Sequence, residues 1–172
     1  MKELKRIDVA TYKSSEKMPV ILVLDNIRSL NNIGSAFRTA DAFRIEKIFL
    51  CGITAKPPHR EIHKTALGAT DSVEWEHYNT TKEAVEELKK QKYSVVGIEQ
   101  CQESIMLNKF TPSKTQKTAL IFGNEVEGIS QTVVDCCDEI VEIPQYGTKH
   151  SLNISVSIGI VLWRVFEEVK FF

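Results

Sequence analysis

The 172-residue chain is 42% hydrophobic, 26% charged and 8% aromatic, the composition of one ordinary globular domain rather than of a disordered or fibrous chain. At this length folding buries about 70% of the surface the unfolded chain exposes, so a core forms without disulfides or a structural metal. Twenty-two Lys and Arg stand against 23 Asp and Glu, for a net charge of -1, so a polyanionic partner has to be met by a local patch.

Met1 to Lys17 is charged and polar throughout; it reads as a basic N-terminal arm of a single domain spanning 1–172, with no signal peptide. Val20 to Leu24 is a continuous apolar run, as expected of a strand buried on both faces of a parallel sheet. A helix follows from Asn31, with Ile33, Ala36, Phe37, Ala40 and Phe43 at helical spacing and Asn31 or Asn32 as its cap. Lys47 to Cys51 predicts the next strand; after the Pro57-Pro58 break come a helix around His59 to Leu67 and a short strand near Val73 to Trp75. The alternation continues with a helix over Thr81 to Lys90, strands over Ser94 to Ile98 and Thr118 to Phe122, a helix over Ser130 to Cys137, a strand over Ile140 to Ile143 and a last helix from about Leu152. That order predicts an α/β fold, a mostly parallel sheet with helices on both faces, whose ligands sit beyond the carboxyl ends of the strands. The loops Asp25 to Gly34, Gly123 to Gly128 and Pro144 to Asn153 are therefore the candidate functional segments.

Cys51, Cys101, Cys136 and Cys137 show no C-x-x-C spacing and read as reduced core residues of a cytoplasmic protein. Leu152 to Val165 is too short and too interrupted by polar residues to span a bilayer, so no membrane association is expected. Charge is uneven: Arg28 to Lys64 holds seven cations and three anions, Thr65 to Asn108 four cations and eight anions. The first stretch suits a phosphate-binding face, or simply solvated helix surfaces.

Three motifs carry chemistry. In Asn32-Ile33-Gly34-Ser35-Ala36-Phe37-Arg38, Gly34 permits a ligand to approach the backbone closely at a helix N-terminus, and Arg38 lies one turn on, off the apolar face, pointing at something anionic. Phe122-Gly123-Asn124-Glu125-Val126-Glu127-Gly128 follows a buried strand, and Glu125 is expected to face a cation such as Arg38. From Ile143 through Pro144, Gly147, Ser151 and Asn153 a polar loop enters an apolar helix, where Ser151, Ser155 and Gly159 make a small-residue stripe. That helix reads as buried nearly all round, one face on the sheet and another on a second subunit. Taken singly, the three also read as a capped surface helix, an acidic turn and a core helix.

In this order and at strand ends, N-x-G-x-x-x-R, F-G-N-E-x-x-G and I-P-x-x-G-x-x-x-S-L-N-x-S resemble the SpoU (TrmH) branch of the SPOUT RNA methyltransferases, from Val20 to about Trp163. The resemblance implies a C-terminal deep trefoil knot, a homodimer formed through it, and methyl transfer from S-adenosyl-L-methionine to a ribose 2′-hydroxyl of RNA. It assigns catalytic roles to Asn32, Arg38, Glu125, Ser151 and Asn153, with Arg38 acting across the dimer interface. It assigns cofactor binding to Ile98, Glu99, Phe122, Gly123, Gly128, Ile143, Pro144, Gly147 and Leu152, the end of the strand at Gly97 adding a wall. Ser157 stands where the family often has alanine and Gln145 where it often has methionine. Without a large N-terminal RNA-binding domain, the knot domain and the basic arm are expected to hold the RNA. On that ground tRNA is favoured over rRNA, with no DNA partner.

Arginine keeps its proton at ordinary pH, so Arg38 is read as a clamp on the target phosphate and on developing alkoxide charge, with Glu125 orienting it. His59 and His63 lie at i, i+4, but Arg60 and Glu61 break the H-E-x-x-H pattern and no third ligand is evident, so no metal is expected. Dinucleotide and P-loop fingerprints are absent from the sequence. His150 reads as a loop residue outside the catalytic set. The rival readings are an rRNA 2′-O-methyltransferase and a non-catalytic knotted RNA-binding homodimer. Base methylation belongs to other branches of the fold, and the S-L-N motif speaks against it.

Overall fold

The computed structural model describes residues 7–169, so Lys2, Lys5 and Arg6 of the basic arm lie outside the described residues. In chain order the elements are α1 (Val9–Ser14), β1 (Met18–Asp25), α2 (Leu30–Ala42), β2 (Ile45–Cys51), α3 (Arg60–Ala66), α4 (Ala69–Ser72), β3 (Trp75–Tyr78), α5 (Thr81–Lys90), β4 (Ser94–Ile98), β5 (Ile105–Met106), β6 (Thr118–Phe122), α6 (Gln131–Val134), β7 (Glu139–Glu142) and α7 (Ile154–Val169). The strands form one sheet in the order β3-β2-β1-β6-β4-β7-β5, and every pairing is parallel. No helix among the described residues is long and apolar enough to cross a membrane.

The continuous apolar run of β1 is explained by its position between β2 and β6 with helices on both faces. Val20, Leu22 and Leu24 enter one core with Ile33, Phe37, Ile62, Ile158 and Leu162, from α2, α3 and α7. Ile21 and Val23 point the other way, into a second core with Ala84, Leu88 and Val133 from α5 and α6. One strand thus seeds both cores by simple alternation.

The topology also assembles the candidate loops. From β1 the chain runs outward through β2 to β3, then returns to build the other half on β6, β4 and β7. β1 and β6 therefore flank the point where the winding reverses, the position at which open parallel sheets form a ligand crevice. The loops leaving β1, β6, β4 and β7 share that end.

Several boundaries differ from the sequence reading. The expected strand near Val73 begins at Trp75, because Val73 is the buried residue that closes α4. The helix expected over Ser130 to Cys137 ends at Val134, with Asp135 as its C-cap and Cys136 and Cys137 in the following turn. β5 lies at the sheet edge with both residues more than a third exposed, too short for any periodicity to reveal it. All four cysteines are free, but Cys101 is exposed rather than core. In α7, Ile154, Ile158, Val161, Leu162 and Val165 are buried, whereas Val156, Ile160 and Trp163 are 39 to 53% exposed; Leu152, 38% exposed, lies just before the helix. The chain by itself buries only one face of this helix.

Candidate active site

α2 begins earlier than the sequence suggests. Ser29 is its N-cap, accepting the Asn32 N–H at 3.3 Å, so neither Asn31 nor Asn32 is the cap. The shift frees the Asn32 side chain, whose Nδ2 donates to Glu125 Oε1 at 3.2 Å and whose Oδ1 accepts from Asn153 Nδ2, also at 3.2 Å. One residue from each motif thus joins a single hydrogen-bonded row, Asn153 to Asn32 to Glu125, in which the central Asn32 is 121 positions from Asn153 and 93 from Glu125.

Glu125 sits at the N-terminus of α2. Its carboxylate accepts the Arg28 N–H at 3.0 Å and the Ser29 N–H at 3.1 Å, where the open amides and dipole of a helix favour negative charge. Burial pushes this carboxyl up, but the backbone N–H groups of Arg28, Glu125 itself and Ser29, with the Asn32 amide, outweigh it and hold it below the usual carboxylate range. The expected Glu125–Arg38 pair does not form within the chain. Arg38 lies six residues beyond Asn32, about 9 Å along the helix, and its exposed side chain makes no hydrogen bond or ion pair among the described residues.

Asn124 fixes the same loop to β1. Its Nδ2 donates to the Asn26 carbonyl at 2.7 Å and its Oδ1 accepts from Val126 and Glu127 N–H at 2.9 and 3.1 Å, while its own backbone bridges to Gly128. Gly123 and Gly128 are required by contact: a Cβ on Gly123 would lie 2.3 Å from the Gly128 carbonyl carbon, and one on Gly128, at φ +68, 2.3 Å from Glu99 Oε2. Glu99 in turn accepts the Ile129 N–H at 2.9 Å. Gly34 serves another purpose than ligand approach: its Cβ would meet the Ile62 carbonyl at 2.3 Å, so the glycine lets α3 pack against α2.

Beyond these loops lies an open cleft of about 1470 Å³. Of the proposed residues, Glu125, Ser151 and Asn153 line it, as do Ile98, Glu99, Phe122, Gly123, Gly128, Ile143 and Leu152. Pro144 and Gly147 do not, although Ile143 and Gln145 on either side of the half-buried Pro144 line it; Tyr146 is 98% exposed. Asn32 reaches the cleft only through its two partners, and Arg38 not at all. Eight carboxylates and no lysine or arginine line the cleft among the described residues, which suits a cationic ligand. Sequence reasoning missed Asn26 and Asn124. Asn26 follows an apolar strand and has φ 55, a conformation asparagine tolerates, so its position was the available signal.

The sequence model of the SpoU rRNA Methylase family matches residues 19–163. The chain belongs to the SpoU methylase family. This SpoU chain is 31% identical over 144 residues to the 23S rRNA (guanosine-2′-O-)-methyltransferase RlmB of Neisseria meningitidis, an alignment covering 84% of the chain and 56% of that protein. It thus spans little more than half the length of that curated relative. Among solved structures, the A. aeolicus TrmH/SpoU tRNA modifying enzyme superposes with a TM-score of 0.82 at 25% identity, covering 94% of this chain and 80% of the other. The AdoMet-bound rRNA methyltransferase of Sinorhizobium meliloti shares the fold, with a TM-score of 0.81 at 24% identity, over 88% of this SpoU chain and 57% of that one.

Proposed function

We propose that this SpoU chain transfers a methyl group from S-adenosyl-L-methionine to a ribose 2′-hydroxyl of RNA, with tRNA as its substrate. The observation that carries the reading is the Asn153–Asn32–Glu125 row at the edge of an acid-lined cleft. The cleft residues fit the cofactor: Gly123 and Gly128 let the loop fold tightly beside Glu99 at the cleft wall, and eight carboxylates, of which Asp138 is paired with Lys89, suit a ligand bearing a sulfonium and an ammonium. Ile98, Glu99, Phe122, Gly123, Gly128, Ile143 and Leu152 would hold it, with Pro144 and Gly147 closing over it from their loop. When bound, the cofactor supplies an electrophilic methyl group.

The chain's own residues supply position. In-line attack by a hydroxyl needs the ribose held still, and orientation is worth many powers of ten in rate. Asn32 is fixed by two hydrogen bonds and Asn153 by its bond to Asn32, so Asn32, Ser151 and Asn153 present directed donors and acceptors to the sugar. Glu125 already accepts from three donors, which makes it the organiser of the loop rather than a base. Arg38, which makes no hydrogen bond or ion pair among the described residues, acts on the target phosphate across a homodimer interface built on the exposed stripe of α7. The knotted C-terminal region expected of the family and a cytoplasmic location belong to the same reading. The rRNA alternative is favoured by one observation, the rRNA specificity in the name of the RlmB relative.

Transfer of labelled methyl to tRNA and rRNA from cells lacking the gene, followed by alkaline hydrolysis, tests the proposal. Label in alkali-resistant dinucleotides from tRNA is expected. The same label from rRNA selects the alternative, and absence of both label and cofactor binding refutes the enzymatic reading.

A further inference from the structure

A second pocket, of about 470 Å³, opens at the β3 edge of the sheet, three strands and about 14 Å from β6. Trp75, Pro57 and Pro58 give it apolar walls, and Arg60, His63 and Asp71 reach it with polar heads. Trp75 is half-buried and packs its inner side on the first core. Arg60, His63 and Asp71 are exposed, and their side chains make no hydrogen bond or ion pair among the described residues. Local structure therefore does not account for this set of groups.

The composition of the pocket limits what fits it. A bare anion would use the arginine and histidine but neither the indole nor the carboxylate. An apolar molecule would strand the charges. An unpaired ribonucleotide uses all of them: its base stacks on the indole against the proline rings, its amino or imino N–H donates to Asp71, and its phosphate takes Arg60 and His63. Pro57, Pro58, Arg60 and His63 belong to the segment Arg28 to Lys64, with its seven cations and three anions, while Asp71 and Trp75 come from the acidic stretch that follows. α3, which carries Arg60 and His63, is tied to the first turn of α2 by the Thr65 hydroxyl, which donates to the Asn31 carbonyl at 3.1 Å. That turn holds Asn32.

We propose that this pocket binds an unpaired nucleotide of the RNA, away from the position that is methylated, and so registers the substrate on the enzyme. The inference rests on the RNA-methylating reading of the cleft. Its test is the indole region of the ¹H–¹⁵N spectrum of the full chain, which carries only two tryptophans, Trp75 and Trp163, the Trp75→Phe variant assigning the signals. Titration with AMP, CMP, GMP and UMP is expected to shift the Trp75 indole saturably with at least one nucleotide and to leave Trp163 in place, while inorganic phosphate moves neither. The surface double variant Arg60→Gln/His63→Gln should weaken that binding about tenfold. No Trp75 shift with any nucleotide, an equal shift with phosphate, or unchanged affinity in the double variant overturns the proposal. Methylation does not enter the readout, so nucleotide binding without methyl transfer would refute the enzymatic reading alone, and the converse would refute the pocket alone.

Discussion

On the proposed reading Glu125 organises the site without itself reacting. Three donors hold its carboxylate at the head of α2, so its proton affinity is lowered in the folded chain. A depressed carboxyl contributes stability above its unfolded value of 4.5 and loses that contribution as pH falls through the lower folded value. The Ser29 amide resonance is therefore expected to follow an acid titration with its midpoint below 4.5; a midpoint at or above that value contradicts the anchor. Glu125→Gln keeps the shape and removes the charge, and should cut single-turnover methyl transfer about tenfold or more. Arg38→Lys keeps charge and loses the bidentate fork; a fall of about tenfold or more is expected, and near-normal activity would exclude the clamp. The loops that hold the motif residues were legible in sequence, because each follows an apolar run at the carboxyl end of a parallel strand, while the choice of residues within them came from the family resemblance. The wiring of those residues was not legible: moving the N-cap to Ser29 turned Asn32 from a cap into a bridge, and the Glu125–Arg38 pair became a bond from Glu125 to backbone.

Glycines divide the labour among the elements. Gly34 lets α3 close on α2, and Gly34→Ala forces its Cβ against the Ile62 carbonyl, an overpacking expected to cost about 1–3 kcal/mol in thermal or denaturant unfolding. Gly123→Ala strikes the Gly128 backbone instead, inside a loop at the cleft, so cofactor affinity measured by calorimetry should fall far more than the melting temperature does. Equal effects from the two substitutions would contradict this division. The long strands and helices were readable because their apolar periods are clean: β1, α5 and β6 fall where the pattern puts them. α4 and β5 have four and two residues, about one period of their patterns and too little for a repeat to show, and α6, expected over Ser130 to Cys137, is cut to Gln131–Val134.

As a whole the molecule leaves one apolar surface uncovered. Val156, Ile160 and Trp163 recur at helical spacing on one exposed side of α7, a stripe that a lone soluble chain rarely exposes. Sequence predicted an apolar helix on every side, and only burial in the fold separates the inner set from the outer. Sedimentation should find a dimer for the wild type and a folded monomer for Val156→Glu/Trp163→Glu; a wild-type monomer, or a variant dimer, contradicts the assignment of this face. We propose that the Asn153–Asn32–Glu125 row assembles a ribose-methylating site beside the cleft. It is tested most directly by labelled methyl transfer to RNA, read as alkali-resistant dinucleotides, with the wild-type chain and Asn32→Ala side by side. The account predicts label for the wild type and a loss of most of it for Asn32→Ala, with cofactor binding retained. Full labelling by Asn32→Ala, or wild-type label only in alkali-labile nucleotides, would contradict it.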